Sequence, residues 1–281
     1  MTTETVIDIG RAAALWSLFD LGGPRPEAGS LLPDLWHWVA LPAWALSSEL
    51  GTDGHHHVNG QGFPAGPGAR RMFAGGEVTF QAPMVAGETV HVESAASPPE
   101  HKTGRSGDFD LVGLHITVRK EDGSVALRER RDLVFRPASP VGAGGPVTPP
   151  DAQVLVPGLR PLVRRGPWTW DLHTDPTVLM RFSAATANGH RIHYDQPYAT
   201  GVEGYPGLVV HGPLMTLSLV EVLRQETGGG LAALRHRNVA PLFCGQRASV
   251  VRDSSGGSGT PRVRLVRDDV VCAEVEAELA P

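Results

Sequence analysis

PLMTLSLVEVLRQE, Pro213 to Glu226, is apolar on every side of a helix: Leu214, Met215, Leu217, Leu219, Val220, Val222 and Leu223 leave no broad polar face for water. Such a helix must be enclosed. The residues that follow can enclose it. His236 to Leu242, Ala248 to Arg252, Arg262 to Val266 and Val270 to Leu279 alternate or run apolar with many β-branched residues, which is the pattern of strands. Antiparallel strands wrapped over one helix bury both, so the expected class is α+β.

The same succession occurs earlier in the chain. Gly76 to Gln81, Glu88 to Glu93, Leu111 to Arg119 and Val125 to Phe135 read as strands, the last two joined across Asp122-Gly123. The repeat reaches local detail: FQAPMVAGETV carries Pro83 and Gly87 four apart, and NVAPLFCGQRASV carries Pro241 and Gly245 at the same separation. The first helix is poorer, because Leu35 to Leu50 is interrupted by Pro42, although Trp36, Trp38 and Trp44 supply apolar bulk. The N-terminal copy is therefore expected to be degenerate. Between the copies, PASPVGAGGPVTPPD (Pro137 to Asp151) has almost no large apolar side chain. The expected organisation is an N-terminal domain over 1–137, a linker over 138–158 and a C-terminal domain over 159–281.

Hydrophobic residues at 41% and charged residues at 20% are ordinary for a globular chain; 34 Gly and 24 Pro in 281 residues provide turns without a disordered or collagen-like bias. A net charge of −5 gives no electrostatic footprint for nucleic acid or an anionic membrane surface. Cys244 and Cys272 alone form no disulfide framework and no C-x-x-C pair. The beginning, MTTETVIDIG, lacks a basic apolar leader, and the longest apolar stretch, Leu214 to Leu223, is far shorter than a bilayer span. A cytoplasmic protein with no membrane or nucleic-acid partner is expected.

Chemistry concentrates in DPTVLMRFSAATANGHRIHYDQPYATGVEGYPGLVVHGPL, Asp175 to Leu214. Asp175 suits an N-cap with Pro176 at the first helical position, and Asn188-Gly189 suits the helix end. His190, Arg191 and His193 follow in an irregular segment, with Asp195 as a cap for the short turn through Tyr198. Gly212-Pro213 then opens the buried helix, whose first amides lack partners and can donate to a developing oxyanion.

RFSAATANGHRIHYDQPYA together with YPGLVVHGPL resembles the hydratase motif of MaoC-like, double hot dog proteins. The branch it resembles most comprises mesaconyl-CoA or itaconyl-CoA hydratases and mitochondrial-type 3-hydroxyacyl-thioester dehydratases. DGHHHVNGQGF, ARRMFAGGEVTFQAPMVAGE and KTGRSGDFDLV extend the likeness over nearly the whole chain. The resemblance implies two fused hot dogs and reversible hydration of an α,β-unsaturated acyl thioester, carried by coenzyme A or an acyl-carrier protein. It implies His193 as the acid–base group and the Gly212 amide as donor to the thioester carbonyl. Asn188 stands where broader MaoC-like enzymes carry Asp; an amide orients water but exchanges no proton at neutral pH. His193 then does the acid–base work largely alone, with an ordinary histidine pKa of about 6.5.

Arg70, Arg71, Lys102 and Arg105 read either as anion-recognising residues, for phosphate or a substrate carboxylate, or as surface charges. Arg191 either lines the acyl pocket or braces its loop, and His190 and His211 are helpers beside the substrate. A metal bound by His190, His193 and His211 is disfavoured because no Asp, Glu or Cys joins them at a recognised spacing. The His55-His56-His57 run reads as solvated. GQGFPA (Gly60 to Ala65) fits a dinucleotide fingerprint only on paper, since Pro64 lies inside it. No cofactor and no metal are expected, and association into a homo-oligomer is left open. The alternatives are a hot-dog thioesterase and a catalytically silent acyl-binding protein; no G-x-S-x-G elbow or P-loop supports other chemistry.

Overall fold

Both sets of strands are present in a computed structural model of the protein, which describes residues 2–56, 70–104, 107–136, 160–253 and 260–281. His57, the GQGFPA segment, Arg105 and the linker expected over 138–158 lie outside the described residues. The first half contains β1 (Thr2–Val6), α1 (Ile9–Phe19), α2 (His37–Ala40), β2 (Arg70–Phe80), β3 (Thr89–Ala96), β4 (Glu100–Gly104), β5 (Gly107–Lys120) and β6 (Val125–Arg136). The second contains β7 (Leu162–Gly166), β8 (Thr169–Leu172), α3 (Pro176–Ala185), α4 (Gln196–Gly201), α5 (Gly212–Thr227), β9 (Leu231–Asn238), β10 (Ala248–Arg252), β11 (Arg262–Arg267) and β12 (Val270–Leu279).

The strands form one antiparallel sheet in the order β1-β3-β5-β6-β2-β9-β12-β11-β10-β8-β7, with β4 hairpinned onto β5. The halves meet where β2 pairs with β9, from Gly75 opposite Arg237 to Thr79 opposite Ala233. Two hot dogs thus lie side by side in a continuous sheet. α5 packs against β9, β11, β12 and β2, with Leu214, Leu217, Leu219, Val222 and Leu223 fully buried. Each such side chain contributes roughly 1.5–3 kcal/mol. Gly228, at φ +68°, ends the helix in the left-handed conformation that glycine adopts without strain. Among the described residues no helix is long and apolar enough to cross a membrane.

The repeated Pro-x-x-x-Gly segments are the same turn. Gln81 and Ala82 both donate to Ala126 C=O, and Val239 and Ala240 both donate to Cys272 C=O. Gly87 donates to Ile7 C=O, one residue before the N-cap of α1; Gly245 donates to Thr174 C=O, one residue before the N-cap of α3. Leu32 donates to Met84 C=O and Val210 to Leu242 C=O. The isolated bridges Leu31 to Val85 and Val209 to Phe243 complete the match. Counting on from them, Asp34 occupies in the first copy the position of Gly212 in the second.

The helix that follows differs. In the second copy it runs for 16 residues; in the first it is one turn, His37–Ala40, beginning just after Leu35 at φ +70° and ending before Pro42. Trp36 and Trp38 are buried, but Trp44 is 55% exposed and supplies no core. Buried Glu129 instead accepts hydrogen bonds from Trp38 Nε1 (2.6 Å), His37 Nε2 (3.0 Å) and Arg131 Nε (2.6 Å). Burial alone would raise its pKa; Arg131 and His37 outweigh that and hold it below the usual carboxylate range. The strand reading omitted β1, β4, β7 and β8, and began the first strand of the second meander at His236 where β9 begins at Leu231. Helix α1, also unread, is capped by Asp8, which accepts from Arg11 N–H.

Candidate active site

α3 begins as expected, with Asp175 accepting from Val178 N–H at 2.8 Å and Pro176 in its first turn. It ends at Ala185, and the left-handed residue beyond it is Ala187 (φ +51°), not Asn188-Gly189 as the dipeptide indicates. Asn188 lies in the following loop, where its Oδ1 accepts from His190 N–H at 3.0 Å. The amide hydrogens of Asn188 and the second lone pair of its Oδ1 are left to face another group. Residues Arg191–His193 then make a 3₁₀ turn and bring His193 inward.

His193 Nδ1 lies 2.7 Å from Val209 C=O. A carbonyl can only accept, so Nδ1 carries the proton and Nε2 holds a lone pair when the ring is neutral. The ring stacks on His211 with centroids 3.6 Å apart and an 18° interplanar angle, and meets His190 edge-on at 5.5 Å. Burial pushes the His193 pKa well below 6.5, and the neighbouring His211 and His190 push in the same direction. The ordinary pKa expected from sequence is corrected by this enclosure: the ring is neutral at pH 7.

His211 is fully buried and is the N-cap of α5, yet no side chain caps that helix. His211 Nε2 and Ser183 Oγ share a hydrogen bond at 2.8 Å, while Nδ1 has no partner among the described residues. Burial holds the His211 pKa at about 3. Gly212 is the first helical residue, so its N–H has no acceptor within the helix. A Cβ here would lie 3.1 Å from Asn238 Nδ2 and 3.3 Å from Phe73 Cδ1, so a larger side chain would have to push these two aside. A neutral, buried imidazole thus stacks on the residue before the open end of α5, and the half-buried Asn188 is tied into the same loop through His190 N–H. Chemically, this is equipment for moving a proton while negative charge grows on a neighbouring oxygen.

The sequence profile of the family described as hydroxyacyl-thioester dehydratase type 2 matches residues 35–244. The chain belongs to this family. It is 38% identical over 245 residues to the mesaconyl-C(4)-CoA hydratase of Chloroflexus aurantiacus, covering 86% of this chain and 82% of that protein. Among solved structures, the fold is similar to a MaoC-like dehydratase from Phytophthora capsici, with a TM-score of 0.70, 14% identity, and 100% and 94% of the two chains covered. It is also similar to HtdX of Mycobacterium tuberculosis, with a TM-score of 0.66, 18% identity and full coverage of both. At those identities the structures establish the double hot dog fold alone.

In this dehydratase-family chain the first half enters the motif loop, which the sequence reading missed. Gly54, at φ +81°, touches Gly189 so closely that a Cβ would sit 2.0 Å from its carbonyl oxygen. Arg191 N–H donates to Asp53 C=O at 2.9 Å. Asp53 Oδ2 accepts from His55 Nδ1 at 3.1 Å, and the His55 ring lies 3.9 Å from that of His190. His55 is therefore packed and not solvated; burial, then the Arg71 cation, lower its pKa to about 3. His56 does face solvent, beside Glu49. Asp53, His55 and His190 could together offer three ligand atoms to an ion, a different set from the three histidines weighed on spacing. The signal available in advance was the pair of glycines in Asp53-Gly54 and Asn188-Gly189.

The cations divide. Arg71 is half-buried on β2 within the influence of Asp53 and His55, and desolvation lowers its pKa. Arg70 is held by Glu203 at 3.2 Å, the same carboxylate that lies 3.6 Å from His190 Nε2. Arg191 is a brace, forked onto Asp195 at 2.9 and 2.8 Å, bonded to Thr52 C=O at 3.1 Å and stacked over Tyr198. Asp195 also caps the turn by accepting from Tyr198 N–H at 3.1 Å. Lys102 is on the peripheral strand β4, ion-paired with exposed Glu100 at 3.2 Å, and is not gathered with the others.

Proposed function

We propose that the chain is a hydro-lyase that adds water reversibly to an α,β-unsaturated acyl-CoA thioester, with His193, Asn188 and Gly212 as its reacting apparatus. His193 Nε2 takes a proton from water as the oxygen adds to the β carbon. The electron pair of the double bond moves onto the thioester oxygen, where Gly212 N–H receives the charge. The proton returns from His193 to the α carbon, and Asn188 N–H steadies the water. The carrying observation is the His193–Val209 hydrogen bond of 2.7 Å, which leaves a basic nitrogen on a buried, neutral ring stacked against His211, the residue just before α5. Such a base contributes about 10²- to 10⁴-fold in rate.

The acyl group is taken to bear a carboxylate, as in the mesaconyl thioester named for the Chloroflexus relative, with half-buried Arg71 as its partner. Coenzyme A is taken as the carrier in preference to a carrier protein, on the same likeness. The test follows enoyl-thioester absorbance and free-thiol release in parallel with mesaconyl-C(4)-CoA and crotonyl-CoA. The expected result is loss of the enoyl absorbance without thiol, faster with the carboxylated substrate. Thiol release at the rate of absorbance loss would mean a thioesterase and reject the proposal.

A further inference from the structure

Asn238 ends β9 next to the opening of α5. Its Nδ2 and Cγ lie 3.1 and 3.3 Å from the point where a Cβ on Gly212 would stand. Neither Oδ1 nor Nδ2 reaches solvent or has a hydrogen-bond partner among the described residues. An amide left so incurs about 1–3 kcal/mol for each lost hydrogen bond, which a fold retains only where something else supplies the partner. Phe73 closes the same space, its Cδ1 also 3.3 Å from that point, and it stacks on fully buried His236, whose two nitrogens are equally unpartnered.

The repeat isolates this residue. Counting back three positions from the shared prolines, Asn238 before Pro241 corresponds to Phe80 before Pro83. In the first copy that position is apolar, and Phe80 packs edge-on against His37 of the single-turn helix. A primary amide therefore occurs only in the copy whose helix end is open.

We propose that Asn238 is a second donor to the thioester carbonyl, its Nδ2–H joining Gly212 N–H on the oxygen that becomes anionic. With neither end bonded among the described residues, the amide can turn its NH₂ group toward that oxygen. Two donors hold the oxygen in a defined direction, and both strengthen as charge develops. The assignment rests on the hydratase reading of the same site.

The test uses Asn238→Ala and the isosteric Asn238→Asp in the full chain with crotonyl-CoA and mesaconyl-C(4)-CoA. Both variants should lose about 10²- to 10³-fold in kcat with KM changed less than threefold. A second readout uses His193→Ala, which holds the enoyl thioester unreacted. Isotope-edited vibrational spectra should show its carbonyl band at lower frequency when bound, and a smaller displacement in His193→Ala/Asn238→Ala. Near-normal kcat in Asn238→Ala overturns the assignment, as does a kcat loss with an unmoved carbonyl band, which would be a structural effect. Wild-type protein inactive on both thioesters would instead reject the hydratase reading and this inference with it.

Discussion

The two hot dogs share a turn and a bridge, and they diverge at the position where α5 begins. In the second, Gly212 opens a four-turn helix whose end is uncapped, and His193 and Asn238 converge on it. In the first, the same position is Asp34, whose carboxylate accepts from Leu231 N–H at 2.7 Å. One helical turn follows, and Glu129 binds the indole and imidazole that the turn presents. A negative side chain at that position would repel a developing oxyanion. The first copy carries an ion pair in this part of the fold and brings its Asp53–His55 loop against the motif segment of the second. On the proposed assignment one fold holds a reactive half and a supporting half, distinguished at the position where α5 begins.

The sharpest way to break the comparison is to move the silent residue into the reactive half. Gly212→Asp should lower kcat/KM by about 10²- to 10³-fold, read from steady-state kinetics, because it displaces Asn238 and Phe73 and brings negative charge to the helix end. In the supporting half, Glu129→Gln should cost about 2 to 3 kcal/mol in denaturant unfolding by weakening the bonds from Trp38, His37 and Arg131. Its kcat should stay within about twofold of wild type.

Acid sharpens the contrast further. Burial holds His55 and His211 at about 3 and His236 at about 4. Unfolded histidine binds a proton near 6.5, so the unfolded chain takes up more protons below that value. The stability these rings contribute is complete above pH 6.5 and is lost as pH falls from there toward 3 to 4. Each of the three rings should make the unfolding free energy at pH 5 lower than at pH 7.5 by about 2 kcal/mol, about 6 kcal/mol together, measured by urea titration at the two values. The smallest effect is expected for Asp34→Ala: about 1 kcal/mol of stability through the lost Leu231 bond, with activity unchanged in the hydration assay.

Much of this was legible in the residues. An all-apolar helix dictates enclosure, so α5 and its sheet followed from Leu214 to Leu223. The Pro83 and Pro241 turns read as one motif because a turn's chemistry is local. Asn188, His193 and Gly212 were proposed from the motif they compose, and the structure sets His193 against His211, the neighbour of Gly212. What escaped was long-range. No period marks Asn238, a lone amide at a strand end, and nothing near Asp53 in the chain announces that its loop reaches Arg191. Lys102 and Arg191 carried the right charge for anion binding, but Glu100 and Asp195 engage them, and neither pairing is decided by spacing. The first helix was weaker than its three tryptophans indicated, since Pro42 stops it and Trp44 turns outward.

The most direct test compares wild type with His193→Ala, following hydration of mesaconyl-C(4)-CoA by absorbance and binding of the same thioester by calorimetry. The predicted result is a kcat lower by about 10²- to 10⁴-fold with binding retained within about threefold. A variant that binds the thioester and turns it over at the wild-type rate would contradict the assignment of the base.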